Sequence, residues 1–272
     1  MKGKKILFIS SEVVPYMPQS EISTLTYNLP KLVNENGGQT RIFIPKYGNI
    51  NERRHQLHEV IRLSGINLII DDMDMPLIIK VASIPKERMQ VYFIDSEDYF
   101  KGRSGYSKDE NSKLYKDNDE RSIFFSKGVI ETIKKLNWAP DLIHVHGWIA
   151  SLLPLYMKYY YKDDPIFDGT KVIVSLYENA LEGKMDKNFT KKIKYDEIDE
   201  SNLTLLDEST YQNLYKIALT YADGAILTSD LKDKFSDVLK NIDIPILECP
   251  FSSEDYKEKY SEFYNSFLLN ED

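Results

Sequence analysis

The fold is decided by residues 4–25, which read KKILFISSEVVPYMPQSEISTL. The continuous apolar run from Lys5 to Ser10 predicts a strand of a parallel sheet covered on both faces, and a loop leads from it into a helix. α/β folds use this arrangement to bind phosphate groups at the helix N-terminus. The loop nevertheless holds no glycine or lysine, Pro18 lacks a backbone donor, and Glu21 adds a negative charge. The sequence therefore predicts a phosphate-binding scaffold without phosphate-binding chemistry.

The composition is that of an ordinary globular protein and excludes several classes of function. Of 272 residues, 42% are hydrophobic and 29% charged, and the formal net charge of −8 disfavours nucleic acid and anionic membranes as partners. The single cysteine, Cys249, excludes an internal disulfide framework and a cysteine-based zinc site. The apolar run at residues 6–9 is too short for a signal peptide, and no later run approaches a membrane span. We therefore expect a cytoplasmic protein.

Strand and helix patterns alternate along the chain, which predicts an α/β fold with a doubly wound, Rossmann-like parallel sheet. We expect one domain over residues 1–252 and a C-terminal amphipathic helix within 253–272 that covers the same domain. The predicted strands outside a β-rich insertion are 5–10, 41–45, 141–146, 171–176, 224–228 and 244–248. The predicted helices are 23–36, which Pro30 is expected to kink or shorten, and 120–136, 149–161, 209–221, 230–239 and 254–269.

The insertion lies at residues 56–95, where strand patterns over 57–63, 66–70, 77–83 and 91–95 follow one another without a helix. Between two of them, Asp71 to Asp74 contains an Asp-x-Asp spacing that is found in some metal sites. A solvated turn is the simpler interpretation on turn chemistry.

Two charged segments, 96–119 and 183–207, are expected to be mobile surface loops that rim a binding crevice. Position alone does not make either of them functional.

Seven stretches, in this order, resemble the N-terminal domain of bacterial glycogen synthases and plant starch synthases. These stretches are Ile6–Tyr16, Leu29–Leu32, Ile44–Ile50, Val91–Phe100, Asp117–Ser126, Trp138–Trp148 and Ala222–Ser229. The resemblance implies the GT-B architecture, in which two Rossmann-like domains face a cleft, and the transfer of glucose from ADP-glucose to the end of an α-1,4-glucan. It extends over about residues 4–230, so a second domain that supplies most nucleotide contacts is expected to be missing from this chain.

The departures from the family pattern fall on the chemistry. Where the family has Lys-Thr-Gly-Gly, which meets the donor pyrophosphate, this chain has the degenerate donor loop Pro18, Gln19, Ser20 and Glu21. The family's His-Asp-Trp becomes His146-Gly147-Trp148, and its following His-Asn aligns with Tyr177-Glu178. The positions that match the family's cleft residues are Asp117, His146 and Trp148.

The resemblance implies a set of sugar-contacting side chains at the crevice, and it leaves no confident catalytic residue. His146 and Asp117 are the remnant catalytic candidates. Asp117 is as readily explained as a solvated or helix-capping residue, and Asp119 is expected to cap the helix that begins at Glu120. The implied substrate-binding residues are Tyr16, Lys46, Tyr47, His146 and Trp148.

His144 and His146 alternate on a strand and so face one side of the sheet, where a hydrogen-bonded pair is the alternative to a metal site. We expect no metal and no cofactor.

We expect a synthase-like domain that is catalytically degenerate on its own and acts in glucan binding or as a partner in glycogen metabolism. The alternatives are a true glucosyltransferase subunit completed by a second chain, or a pure protein-interaction domain. The partners implied are α-1,4-glucan or ADP-glucose, bound weakly, and a protein that supplies a second Rossmann domain.

Overall fold

The central feature of the structure, a computed structural model, is a large and mostly parallel sheet. The described residues are 1–87, 89–103, 107–178 and 182–268. Their strands are β1 Lys5–Ser10, β2 Gln39–Pro45, β3 His58–Glu59, β4 Ile66–Ile70, β5 Met73–Ile84, β6 Met89–Asp95, β7 Leu142–His146, β8 Lys171–Leu176, β9 Gly224–Leu227 and β10 Ile246–Glu248. Their α-helices are α1 Glu21–Glu35, α2 Glu52–His55, α3 Asn118–Leu136, α4 Leu153–Tyr159, α5 Phe189–Lys194, α6 Tyr211–Tyr221, α7 Ser236–Leu239 and α8 Tyr256–Leu268.

The strand order is β10-β9-β8-β7-β1-β2-β6-β5-β3, with β4 paired to β5 off this path. All pairs from β10 to β6 are parallel, whereas β5 is antiparallel to its neighbours. The chain runs outward from β1 through β2 to β6, then returns to β7 on the other side of β1 and runs outward again. The prediction of a doubly wound α/β fold is confirmed, and β1 and β7 define its topological switch point.

Helix α1 continues through Pro30 because the burial of one apolar face stabilises it. The helix is continuous from Glu21 to Glu35 although Pro30 lies inside it, so the expectation that Pro30 shortens it is wrong. Leu25, Leu29 and Val33 are fully buried on one face. Their burial offsets the single backbone hydrogen bond that a proline removes.

The β-rich insertion is an antiparallel excursion at one edge of the sheet, but the prediction of a strand over 57–63 is wrong. Only His58–Glu59 pairs with β5 as a strand there, and the chain then turns at 61–63, where Leu63 N donates to Val60 O at 2.8 Å. Asp71 lies in the β4–β5 turn with a φ of 59°.

Residues 182–207 are folded against the core, so the prediction of a mobile surface loop over 183–207 is wrong. This segment contains α5 and two 3-10 turns, Glu200–Asn202 and Thr204–Leu206. Its few apolar side chains are buried but lie among many polar and charged ones, so the segment lacks a long amphipathic pattern. These side chains include Phe189, Ile193, Leu203 and Leu206.

The other charged segment, 96–119, includes residues 104–106, which lie outside the described residues. Tyr99 and Phe100 within it are buried.

Two predicted helices are shorter than expected. The pattern at 149–161 divides into a 3-10 turn at Trp148–Ala150 and α4, which Pro154 helps to start. The pattern at 230–239 keeps only α7, Ser236–Leu239.

Helix α8 covers the sheet on the side of α1 and β7. Tyr260 and Tyr264 are fully buried in this contact, and the Asn28 amide of α1 donates to the Tyr256 hydroxyl at 3.1 Å. Leu269, the last residue of the predicted helix, lies outside the described residues. Among the described residues, no helix has the length and apolar character needed to cross a membrane.

Candidate functional site

The candidate site lies where β1 and β7 end side by side. Ser10 and His146 are register partners at these two strand ends, and Tyr177 follows the end of the next strand, β8. Ligands of open α/β sheets bind at this point, beyond the carboxyl ends of the strands that flank the switch. Of the predicted site residues, His146 lies at the edge where this fold places a ligand.

His146 is buried and held by its neighbour. Its Nδ1 shares a hydrogen bond of 2.5 Å with the Tyr177 hydroxyl, and its Nε2 has no hydrogen-bond partner among the described residues. Burial lowers the pKa of His146 to about 3, so the imidazole is neutral near pH 7. A neutral, buried imidazole does not supply positive charge to a phosphate.

His144 and His146 lie side by side, and each is hydrogen-bonded to other side chains and not to its neighbour. Their ring centroids lie 3.9 Å apart, and His144 contacts the Tyr264 hydroxyl at 2.7 Å and Ser175 Oγ at 2.8 Å. Burial, with a smaller contribution from His146, lowers the pKa of His144 well below its usual range. Within the described ranges, no three His, Cys, Asp or Glu side chains are grouped so as to hold a metal ion.

The first loop pairs its polar groups with one another. Ser20 caps α1 by accepting from Ser23 N at 3.0 Å, and Ser23 Oγ accepts from Ser20 N at 2.7 Å. Ser20 Oγ also donates to Glu12 Oε2 at 2.6 Å, and Ser23 Oγ donates to Pro18 O at 2.9 Å. This capping box occupies an amide that a helix N-terminus otherwise offers to an anion.

Two carboxylates lie beside this helix N-terminus. Burial raises the pKa of Glu12, and the hydrogen bond from Ser20 opposes the shift. Burial also raises the pKa of Glu21; the adjacent Thr228 hydroxyl opposes this shift and the negative charge of Glu178 adds to it. The positive end of the helix dipole attracts anions. The carboxylates of Glu12 and Glu21 already lie there, so they would repel a further anion such as a phosphate.

Gly147 is required by the close approach of β1 and β7. Its φ of +82° with a ψ of 166° lies in a region that is essentially restricted to glycine. A Cβ at this position would lie 2.4 Å from Ser11 Oγ. The aspartate of the family pattern does not fit here unless Ser11 and the backbone shift.

Arg121 is the centre of a second, aromatic cluster. Its guanidinium is fully buried and donates through Nη1 to Asn118 Oδ1 at 2.7 Å. Tyr47 and Trp148, two of the predicted substrate-binding residues, lie about it with ring centroids 6.0 and 5.9 Å from its Cζ. Burial lowers the pKa of Arg121. Tyr47 and Trp148 therefore act here as packing around a buried cation.

Lys46 and Tyr16, also predicted to contact substrate, lie at a third position near the ends of β2 and β6. Lys46 Nζ pairs with Glu52 at 2.8 Å, and Glu52 pairs also with Lys80 at 2.8 Å. Burial works against the charged form of Glu52, but the two ammonium groups outweigh it and lower its pKa. The Tyr16 ring packs edge-on against Phe93 at 5.0 Å, and burial raises its pKa to about 12.

The remnant candidate Asp117 is neutralised by an arginine. Its two oxygens accept from Arg103 at 2.7 and 2.5 Å, and it stands at the N-cap of α3 without a side-chain capping bond. The expectation that Asp119 caps this helix is wrong, since Asp119 lies inside the first turn and pairs with Lys192 at 2.7 Å. Burial raises the pKa of Asp119, and Lys192 opposes the shift.

The predicted site residues are therefore divided among three clusters and are largely hidden from solvent. Glu12, Arg121 and the Tyr177–His146 contact were not predicted. A carboxylate directly after the switch-point strand was a usable signal for Glu12, whereas nothing in the sequence alone marks Arg121 as buried. The five substrate-binding candidates are exposed by no more than 7%: Tyr16, Lys46, Tyr47, His146 and Trp148.

Known proteins resemble this chain in both sequence and fold. The fold and the switch-point edge define a domain of the GT-B type, and a family model described as the starch synthase catalytic domain matches residues 5–231. The catalytic domain of starch synthase IV from Arabidopsis thaliana, solved bound to ADP and acarbose, aligns with a TM-score of 0.71 at 18% identity, over 91% of this chain and 52% of that chain.

Curated relatives give the same result in sequence. The glycogen synthase of Chlorobium luteolum is 36% identical over 197 residues, which are 72% of this chain and 40% of the relative. That of Chlorobium phaeobacteroides is 32% identical over 259 residues, 88% of this chain and 53% of the relative. The chain belongs to the starch synthase catalytic domain family, and it spans about half the length of these relatives.

Proposed function

We propose that this chain binds α-1,4-glucan and does not by itself transfer glucose from ADP-glucose. The glucan follows from the family, whose curated relatives here are glycogen synthases. The proposed lack of transfer activity is supported by the first loop. There Glu12 and Glu21 lie at the N-terminus of α1, and Ser20 and Ser23 pair with one another.

The energetics of transfer support this proposal. A metal-free glycosyl transfer stabilises the departing nucleoside diphosphate with cationic side chains and backbone amides, and loss of one such donor costs about 10²–10³ in rate. In this loop Pro18 stands at the family's lysine, and Ser20 and Glu21 stand at its two glycines. A carboxylate near the pyrophosphate adds repulsion to the missing donors.

We also propose that residues 1–252 act as one synthase-like domain and that 253–272 serves as its cover. The burial of Tyr260 and Tyr264 of α8 against the face of the sheet supports this division. The cover shields His144 through the Tyr264 hydroxyl.

A second candidate is a glucosyltransferase completed by another chain. It is favoured by one observation: His146 and Trp148 keep the family's residue types at the switch point.

One paired assay tests these alternatives. The purified chain is given radiolabelled ADP-glucose with a glycogen primer, and in parallel is run through gels that contain glycogen. We expect retardation by glycogen and no incorporation of label. Incorporation by the chain alone would contradict the proposal, incorporation only with an added protein would favour the second candidate, and neither signal would leave a protein-interaction domain.

A further inference from the structure

A surface cavity of about 440 Å³ lies away from the switch point, between four separate elements. We call it the tyrosine cavity. It lies beside residues 66–69 of β4 and beside Lys127 and Glu131, which are one turn apart on α3. The end of α4 adds Tyr160 and Tyr161, and the segment after α5 adds 195–197. Its volume is in the range of small-molecule sites.

The floor of the tyrosine cavity is rigid. Lys127 Nζ donates to Asp196 Oδ1 at 2.5 Å and to Ile69 O at 2.8 Å, and Asp196 Oδ2 accepts from the Tyr156 hydroxyl at 2.6 Å. Lys127 and Asp196 are both nearly fully buried. This ion pair fixes the segment after α5 against α3 and β4, so the cavity is preformed.

The rim of the cavity carries two half-exposed aromatic rings. Tyr160 is 45% exposed and Tyr195 is 52% exposed, which is unusual for large hydrophobic side chains that neighbour the same cavity. Tyr160 is held edge-on by Tyr161 at 4.8 Å, so one of its faces is positioned in advance. A positioned aromatic face with a polar hydroxyl tip binds ligands that are themselves amphipathic.

The charge of the lining selects among ligands. Glu131, Asp196 and Glu197 oppose the single ammonium of Lys127, so a phosphate or another anion is disfavoured. A cationic ligand is disfavoured as well, because Asp196 already pairs with Lys127 and Glu131 with Lys134. The same two ammonium groups lie 5.3 Å from the ring centroids of Tyr160 and Tyr161 and would repel a further cation there.

From these contacts we infer that the tyrosine cavity binds a neutral oligosaccharide, a short segment of α-1,4-glucan. The C–H face of a sugar ring packs on a tyrosine ring, and its hydroxyls donate to carboxylates such as Glu131 and Glu197. The identity of the sugar rests on the proposed function, whereas the class of neutral polyhydroxyl ligand rests on the lining alone. The cavity would let the chain hold glucan although its switch-point residues are buried.

The test uses maltoheptaose as the probe and the full chain labelled with 15N. Titration is expected to shift the amide resonances of residues 160, 161 and 195–197, and cellohexaose at equal concentration is expected to shift them less. Tyr160→Ala and Tyr195→Ala should each weaken retardation by glycogen about tenfold. Tyr160→Phe and Tyr195→Phe keep the rings and should retain most of it, and Ile61→Ala, at an exposed apolar residue elsewhere, should change nothing.

The outcomes separate this inference from the proposed function. If glycogen retards the chain but the two alanine variants behave as wild type, the cavity is not the site, and glucan binding itself still stands. If neither glycogen nor maltoheptaose acts on the chain, both are wrong. Shifts at the cavity with tetramethylammonium but not with maltoheptaose would assign it to a cation and overturn the inference.

Discussion

The hydroxyl of Tyr177 lies 2.5 Å from Nδ1 of His146, so the residues that follow β8 and end β7 are joined at the switch point. Tyr177 is buried, and burial raises its pKa well above the usual tyrosine range. The family's histidine position is thus occupied by a neutral phenol that pairs with Nδ1 of the neighbouring imidazole.

Tyr177→Phe should lower the free energy of unfolding by about 1–2 kcal/mol, because it leaves Nδ1 of His146 buried and unpaired. Urea denaturation followed by circular dichroism measures the change. The exposed Tyr195→Phe is the matched control and should have no effect. An unchanged unfolding midpoint in Tyr177→Phe would show that the contact adds nothing to stability.

Stability should fall with acid because the histidine pair is buried in neutral form. His146 has a pKa of about 3 in the folded state, against about 6.5 when exposed. Between these values the unfolded chain binds the proton and the folded chain does not, so the stabilisation is complete above about pH 6.5 and is lost progressively below it, by up to about 1.4 kcal/mol per pH unit.

His146→Gln should therefore flatten the dependence of unfolding free energy on pH between about pH 6 and pH 4. Urea titrations at a series of pH values give the slope. Carboxylates such as Glu12 act alike in both proteins and cancel in the comparison. A slope in His146→Gln equal to that of the wild type would refute the assignment.

Gly147→Ala should destabilise the fold by about 1–3 kcal/mol, because its backbone conformation is restricted to glycine and its Cβ meets Ser11. The double variant Gly147→Ala/Ser11→Gly removes the steric contact but not the backbone strain, so it should recover part of the loss. Thermal unfolding of the single and double variants checks this. Full stability in Gly147→Ala would mean that the aspartate of the family is tolerated here.

Lys192→Met should destabilise the protein by about 3–5 kcal/mol, since Asp119 is left buried without its cation. It should also expose residues 182–207 to limited proteolysis. The double variant Lys192→Met/Asp119→Asn removes both charges and should regain much of the stability. If the double variant is no better than the single one, the ion pair is not what holds the segment.

The parts of the fold that could be predicted from the sequence are those whose apolar residues form continuous runs or regular repeats. The continuous apolar runs of β1, β2, β7 and β8 predicted a parallel sheet, whereas the switch point between β1 and β7 is known only from the strand order in the structure. Residues 182–207 carried no such signal, because their six buried apolar side chains lie among many polar and charged ones; these six are Met185, Phe189, Ile193, Ile198, Leu203 and Leu206. The effect of Pro30 was misjudged because the helix-breaking rule considers only the local chain, whereas α1 is stabilised by the burial of Leu25, Leu29 and Val33 in the core.

The candidate site was predicted as residue types and not as contacts. Loss of the lysine and glycines is visible in Pro18, Ser20 and Glu21, but the hydrogen bond that joins Ser20 to Glu12 depends on the path of the loop. Likewise, Lys46 looked free to meet a substrate, and only the fold brings Glu52 to it. Side-chain pairing across elements is the information that a single sequence lacks.

Calorimetric titration of the full chain with ADP-glucose distinguishes a glucan-binding domain from a transferase, with maltoheptaose as the positive control in the same buffer. We expect heat of binding for maltoheptaose and none for ADP-glucose at millimolar concentration, because Glu12 and Glu21 lie at the N-terminus of α1, where a pyrophosphate would otherwise bind. Saturable binding of ADP-glucose that is lost in a Ser20→Ala/Ser23→Ala variant would contradict this expectation, since the first loop would then be a working donor site.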